Sequence, residues 1–294
     1  MEGMDDGMKV WRDRALLGFF CLFLLFPAFA GKSVQAFGNM QVGLFSWDIE
    51  AIREKGSRED LFSILFEINA NEVYQSLRVD SARDFLMEAH QRGVRVYALS
   101  GQPEWGLDPK AGKMMKEVDL VVSLRRKLDG AGPAGLVLDV EPYLTKIYRN
   151  DPEQAMDTFV AAMRKTYAYA REAGVEVILC IPYFYDTKGF PDHLRALIEE
   201  ASDAVAVMNY FKRTEAANIA SEVSIARESG KRLINIAELQ RPGTHDLTER
   251  NTYFREGLPA VWKSFEKLAG DFGYEGLSYA LHDYTALREV IDRE

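Results

Sequence analysis

The chain runs to 294 residues, 47% of them hydrophobic and 28% charged, with a formal net charge of −9. That length and balance suit one large domain with a full core. They exclude a nucleic-acid binder, which would carry a basic stripe, and a disulfide-stapled small fold, since only Cys21 and Cys180 are present.

The first 30 residues read as a leader outside the fold. Lys9, Arg12 and Arg14 precede an apolar run over residues 15–30, and Ala28-Phe29-Ala30 forms an A-x-A cleavage signal. The run is short for a helix that crosses a bilayer, and Pro27 interrupts it. A signal peptide over residues 1–30 and one domain over 31–294 are therefore expected, with an uncleaved N-terminal anchor as the alternative. Cleavage would leave Cys180 as the one cysteine, a pattern that fits export to a periplasm or the medium of a protein held by its core. A monomer is expected, touching no membrane beyond such an anchor.

From residue 41 onward, apolar strand-like runs alternate with helical patterns. Residues 41–47 (QVGLFSW) predict strand one, 49–61 a helix, and 64–69 (ILFEIN) strand two. An amphipathic helix over 79–92 stops at Gly93, and 94–100 (VRVYALS) predict strand three. A long helix over 110–128 leads to strand four at 134–141. Asp151, Pro152 and Gly174 bracket the next helix as N-cap, first-turn residue and terminator, and 175–183 (VEVILCIPY) predict strand five. A helix at 191–201, strand six at 204–210 (AVAVMNY) and a helix at 215–229 ended by Gly230 follow. Strand seven at 232–238 (RLINIAE), a mainly helical stretch at 247–272 and strand eight at 276–282 (GLSYALH) complete the series before a short helix from Thr285. Eight strands, each followed by a helix, predict an α/β fold: a single (β/α)8 TIM barrel preceded by the signal peptide. Trp47-Asp-Ile-Glu after strand one lacks the Gly-rich fingerprint that a Rossmann sheet would need.

Strand four, Gly135-Leu-Val-Leu-Asp139-Val-Glu141, carries the sharpest signal. Side chains alternate faces along a strand, so Leu136, Leu138 and Val140 share one face while Gly135, Val137, Asp139 and Glu141 share the other. The acids fall at the C-terminal end, where a barrel keeps its active site. Carboxylates this close shift each other's pKa, so one can stay protonated as a general acid. The same pattern would also suit a strand end paired with an arginine or lysine.

The other strand ends bring Trp47 (one), Glu67 and Asn69 (two), Ser100 with nearby Trp105 (three), and Tyr183 with Tyr185 and Asp186 (five). Strand six brings Asn209 and Tyr210, strand seven Glu238, and strand eight His282 and Asp283. Carboxylates for proton transfer and rings for the faces of pyranoses point to a carbohydrate substrate. Glu141, Asp139 and Glu238 are the catalytic candidates; Tyr210, Asn209, Trp47, Glu67, Trp105, Tyr183 and His282 are the substrate-binding ones. No metal or cofactor is expected: of His90, His193, His245 and His282 only the last falls at a strand end. H-x-H, H-E-x-x-H, paired cysteines, a G-x-S-x-G elbow and a Walker A loop are all missing.

Strand four resembles the D-G-x-D-x-D-x-E signature of family 18 glycoside hydrolases, the chitinases and their relatives. Gly135, Asp139 and Glu141 match its glycine, last aspartate and glutamate, and Met208-Asn-Tyr210 is similar to the family's M-x-Y. The resemblance implies that Glu141 is the general acid, that Asp139 orients the substrate's acetamido group, and that Tyr210 hydrogen-bonds to it. Ala134 and Val137 stand where the family has its first two aspartates, and Tyr279-Ala-Leu-His282 where it has a strand-eight tryptophan. Glu141 and Glu238 also fall on the two strands that carry the carboxylates of the large retaining-glycosidase clan, whose asparagine before the strand-four glutamate is Val140 here. An exported glycosidase-like barrel is expected, using carboxylate acid/base chemistry. A carbohydrate-binding barrel without turnover is the alternative. If the leader is cleaved, terminal sequencing of the exported protein should read from Gly31; a retained Met1 would mean an anchor instead.

Overall fold

The computed structural model describes residues 40–293, so the leader expected over residues 1–30 lies outside the described residues. Eight parallel strands close on themselves in chain order: β1 Val42–Ser46, β2 Glu72–Ser76, β3 Arg95–Ser100, β4 Gly135–Leu138, β5 Glu176–Pro182, β6 Ala204–Met208, β7 Arg232–Glu238 and β8 Leu277–His282. β1 pairs with β8 through Val42 opposite Tyr279 and Leu44 opposite Leu281, which seals the barrel. The helices outside it are α1 Lys55–Glu67, α2 Ala82–Gln91, α3 Gly112–Leu128, α4 Lys146–Asn150, α5 Pro152–Glu172, α6 Pro191–Glu200, α7 Glu215–Asn218, α8 Ala220–Ser229, α9 Gly257–Phe272 and α10 Tyr284–Ile291. Among the described residues no helix is long and apolar enough to cross a membrane.

Strand parity builds two cores. Leu136, Leu138, Val177 and Leu179 face outward under the helices. Phe45, Tyr74, Val137, Ile178, Cys180 and Met208 fill the interior. The N-terminal end of the interior is closed by charge and phenol. Glu72, 2% exposed, pairs with Arg95 and with Arg232 at 2.7 Å, and the Tyr74 hydroxyl donates to it at 2.8 Å. Beside this plug Tyr97 donates to Glu176 at 2.9 Å. A buried carboxylate is tolerated only when paired and hydrogen-bonded in this way.

The expected strand two is overturned. Residues 64–69 do not form a strand: Leu61, Leu65 and Ile68 repeat at helical spacing and are buried, while Phe66 is 88% exposed. Asn69 turns the chain at φ 54 after α1, and the strand that follows is Glu72-Val-Tyr-Gln-Ser76. It looks polar in sequence because its inward face supplies the plug. The helix expected over 215–229 is broken into α7 and α8 at Ile219. Asp151 caps α5 as expected, its side chain accepting from the Gln154 N–H at 3.0 Å.

β3 and β4 come closest just below the mouth. A Cβ built on Gly101 would lie 1.8 Å from the backbone oxygen of Asp139. Only glycine allows this approach, and it follows the register Ser100 opposite Leu138, with the Asp139 N–H donating to Ser100 O at 3.0 Å. Gly101→Ala should therefore destabilise the fold by at least ~2 kcal/mol in urea unfolding, as strand separation under overpacking demands. Gly56, in α1 with nothing within 4 Å of its built Cβ, is the control: Gly56→Ala should be neutral or stabilising by up to ~1 kcal/mol. Equal effects at the two positions would refute the close-approach reading.

Candidate active site

β4 ends at Leu138, and the chain turns out of the sheet two residues later. Glu141 sits at φ −115, ψ 70, and Pro142 opens a short 3-10 turn over Pro142–Leu144. Asp139 is therefore held by the last rung of the sheet, while Glu141 stands at the point where the backbone leaves it. Val137 faces the interior, so Asp139 shares its direction.

The floor of the mouth holds Asp139 against Cys180 of β5, whose thiol hydrogen-bonds to it. Oδ1 of Asp139 is buried without a partner among the described residues. Burial first, then the neighbouring Glu141 carboxylate, push Asp139 up to about 7; His282 and the thiol pull more weakly the other way. Burial and the same two carboxylates push the Cys180 thiol well above its ordinary range, so it is a neutral donor and no nucleophile. Glu141 accepts a hydrogen bond on Oε2 from the Tyr143 hydroxyl. Tyr143 is wedged edge-on against Phe184, ring centroids 5.2 Å apart, and against Tyr185 at 6.3 Å.

β8 lies opposite β4 in the closed ring. There Glu238, 2% exposed, accepts the Gln240 N–H on Oε1 at 2.7 Å and meets His282 Nδ1 on Oε2 at 2.9 Å. Both of its oxygens are engaged. Burial alone would favour neutral His282, but the Glu238 carboxylate, with Asp283 and Asp139 nearby, more than offsets this and lifts the imidazole to about 9. With Nδ1 held by Glu238, Nε2 is the nitrogen left for the mouth. The Tyr210 ring lies 6.2 Å and the Phe45 ring 5.8 Å from the imidazole. Burial and the carboxylates of Glu238 and Asp139 hold the Tyr210 hydroxyl protonated far above neutral pH. The His282–Asp283 peptide is cis.

The mouth thus gathers Asp139, Glu141, Glu238, Tyr210 and His282 from four strand ends. Trp47 follows β1 at 36% exposure. Trp105 is half-buried in the 3-10 turn Pro103–Leu107 after β3, and Tyr183 is half-buried directly after β5.

Two expected binding residues are elsewhere. Glu67 is exposed at the C-terminal end of α1, which runs back to the opposite end of the barrel, so it cannot reach the mouth. Asn209 follows inward-facing Met208 and so points out of the barrel. Its amide donates to Asn235 at 2.8 Å and to Glu215 O at 3.0 Å, and it accepts from Asn218 at 2.7 Å. It ties β6 to β7 and α7 and is not free for a sugar. Tyr143 and Cys180 were not singled out from sequence. The alternation Ile178, Cys180 along strand five carried the signal for the cysteine, whereas Tyr143 depends on the turn that Pro142 starts.

No family model matches the sequence, and no curated protein matches it either. Solved structures do match. A plant class V chitinase mutant from Cycas revoluta, in complex with (GlcNAc)3, is similar at TM-score 0.54 and 14% identity, over 87% of this chain and 98% of that one. The spore cortex-lytic enzyme SleL of Bacillus megaterium QM B1551 is similar at 0.53 and 11%, over 87% and 74%. A D-psicose 3-epimerase from Clostridium cellulolyticum H10, with D-tagatose, is similar at 0.51 and 14%, over 86% and 89%. At these identities the likeness shows the fold, a TIM barrel, which hosts many chemistries.

The mouth makes stability depend on pH in one direction. A histidine lifted on folding contributes stability in full below its unfolded value, 6.5, and loses it as pH rises through about 9. Asp139, lifted from 3.8 to about 7, leaves stability untouched below its unfolded value, lowers it as pH rises from there to about 7, and imposes a constant penalty above that. Urea unfolding should therefore show stability falling between pH 5 and pH 9 by on the order of a few kcal/mol. His282→Gln should flatten the part above neutrality. Asp139→Asn should be more stable than the native chain at pH 8 and little different near pH 4. A native chain whose stability rises over that range would contradict the assignment.

Proposed function

We propose that this protein is an exported glycoside hydrolase-like barrel that acts on a glycan at the C-terminal mouth. The observation that carries the reading is the half-buried Asp139–Glu141 pair, with Asp139 lifted to about 7 and its buried Oδ1 unpartnered among the described residues. Two coupled carboxyl groups of unequal proton affinity are what acid/base cleavage of a glycosidic bond requires. The partial family 18 motifs on β4 and after β6 point the same way. So does the likeness in fold to chitinases, though that likeness alone would equally admit a sugar epimerase.

Glu141 is assigned as the group that protonates the leaving oxygen, with Asp139 as its coupled partner and Tyr210 as a donor to the bound sugar. Glu238 is assigned to charging and orienting His282 and not to nucleophilic attack, because both of its oxygens are already occupied. His282 stands at the end of β8, where the resembling family carries a tryptophan. A charged imidazolium there offers a directed N–H donor in place of an apolar platform.

A second reading has its own observation. Glu141 is bonded to Tyr143 and Glu238 to His282, so each carboxylate is partnered without a ligand, as in a barrel that binds glycans and does not cleave them. Turnover separates the two. On a glycan found to be cleaved, Glu141→Gln should lower kcat by about 10²–10⁴ while KM changes little and the fold survives. Glu238→Gln should lower the rate without rescue by azide, since Glu238 is not the nucleophile whose place azide would take. A fully active Glu141→Gln would remove the assignment of the acid. Binding of several glycans with no turnover of any would favour the second reading.

A further inference from the structure

The bond between Tyr143 and Glu141 bears on where the dyad keeps its proton. Tyr143 is two residues beyond Glu141, on the turn that Pro142 starts, and its ring is fixed by Phe184 and Tyr185. Burial and the Glu141 carboxylate hold its phenol proton in place at any ordinary pH. The hydroxyl is therefore a standing donor, and a donor aimed at a carboxyl oxygen favours the ionised form.

The groups facing the pair are few. Glu141 and Asp139 are faced by Cys180 from β5, by Tyr185 beyond it and by Tyr210 beyond β6, all neutral. Asp139 also feels His282 from β8, whose charge is matched by Glu238. His282 and the Cys180 thiol both act on Asp139, but the thiol is a weak donor, and the Tyr143 hydroxyl makes the stronger hydrogen bond that distinguishes the two carboxyls. It touches Glu141 alone.

We propose that Tyr143 is a positioning residue that keeps the negative charge on Glu141 and the proton of the pair on Asp139 until a bound ligand breaks its hydrogen bond. This rests on the reading of Asp139 and Glu141 as the reacting pair. Loss of the Tyr143 bond lets the proton cross. The O–H bond on Asp139 breaks, one forms on Glu141, and the negative charge passes from Glu141 to Asp139, with nothing consumed. Glu141 then holds the proton that a leaving oxygen would take. A ligand hydroxyl that accepts from Tyr143 in place of Glu141 would be enough to trigger the exchange, so the resting protein keeps its acid unloaded.

The test reads the two carboxyls directly and needs no substrate. The intact chain is labelled with 13C at the aspartate and glutamate carboxyl carbons, and its signals are followed from pH 3 to 9. Asp139→Asn and Glu141→Gln assign the two resonances. In the native chain Glu141 should ionise first and Asp139 later. In Tyr143→Phe the Glu141 midpoint should rise by about 1–2 pH units, the worth of one charge-assisted hydrogen bond, and the Asp139 midpoint should fall in response. An unmoved Glu141 midpoint in folded Tyr143→Phe overturns the proposal. If that variant does not fold, the native titration still decides, because ionisation of Asp139 before Glu141 would overturn it alone. On a cleaved glycan the acid limb of kcat/KM should move with the Glu141 midpoint, which a merely structural tyrosine would leave in place. The expected titration with no turnover of any glycan would sink the hydrolase reading and leave the role of Tyr143 standing.

Discussion

Two carboxyl groups two residues apart, aimed into a closed barrel, cannot both be ionised cheaply. That constraint organises the mouth. The sheet gives Asp139 no freedom to turn away, because its N–H is the last rung shared with β3 and its carbonyl lies against Gly101. Glu141 has more latitude, since the chain is already leaving the sheet. The repulsion is therefore relieved in two unlike ways: Asp139 takes up a proton in a buried place, and Glu141 takes a phenol donor. Across the ring the third carboxylate, Glu238, is relieved in a third way, by a histidine that becomes charged to meet it. Acid, phenol and imidazole each solve the same electrostatic problem with different chemistry, and the differences give the site its possible roles.

The fold was legible because its signal is repetitive. Each strand of a buried parallel sheet reads as a short apolar run, and helices with apolar stripes separate them. β2 escaped because its inward residues, Glu72 and Tyr74, belong to a polar plug whose partners Arg95 and Arg232 lie on other strands. Nothing local marks such a network. Meanwhile the end of α1 offered Ile64-Leu-Phe-Glu-Ile, which is apolar enough to pass for a strand. Glu67, at the end of that run, reads as a strand-end residue for the same reason.

The site was legible wherever parity alone decides direction. Asp139, Tyr210, Glu238 and His282 all follow from counting twos along a strand from an interior neighbour. The same count, applied with care, puts Asn209 outside the barrel, where it serves as a clamp between strands. Tyr143 lay beyond the reach of parity. Its position depends on the turn after β4 and on Phe184 and Tyr185, which arrive from the segment after β5. Partners contributed by a different loop cannot be read from the residue's own neighbourhood.

The plug at the far end of the barrel has a consequence for traffic. Glu72, Arg95 and Arg232 bridge three strands across the axis, and Tyr74 and Tyr97 fill the space above them. The interior is thus filled by side chains and closed at this end, and it is not a tunnel. Anything larger than water that reaches Asp139 must come in by the mouth and go out by it. A chain-like ligand can lie across the opening or dip one end into it, but it cannot be threaded through. A ligand held at the strand ends therefore enters and leaves by the same side, past the segments that follow the strands, with half-exposed Trp47 among them.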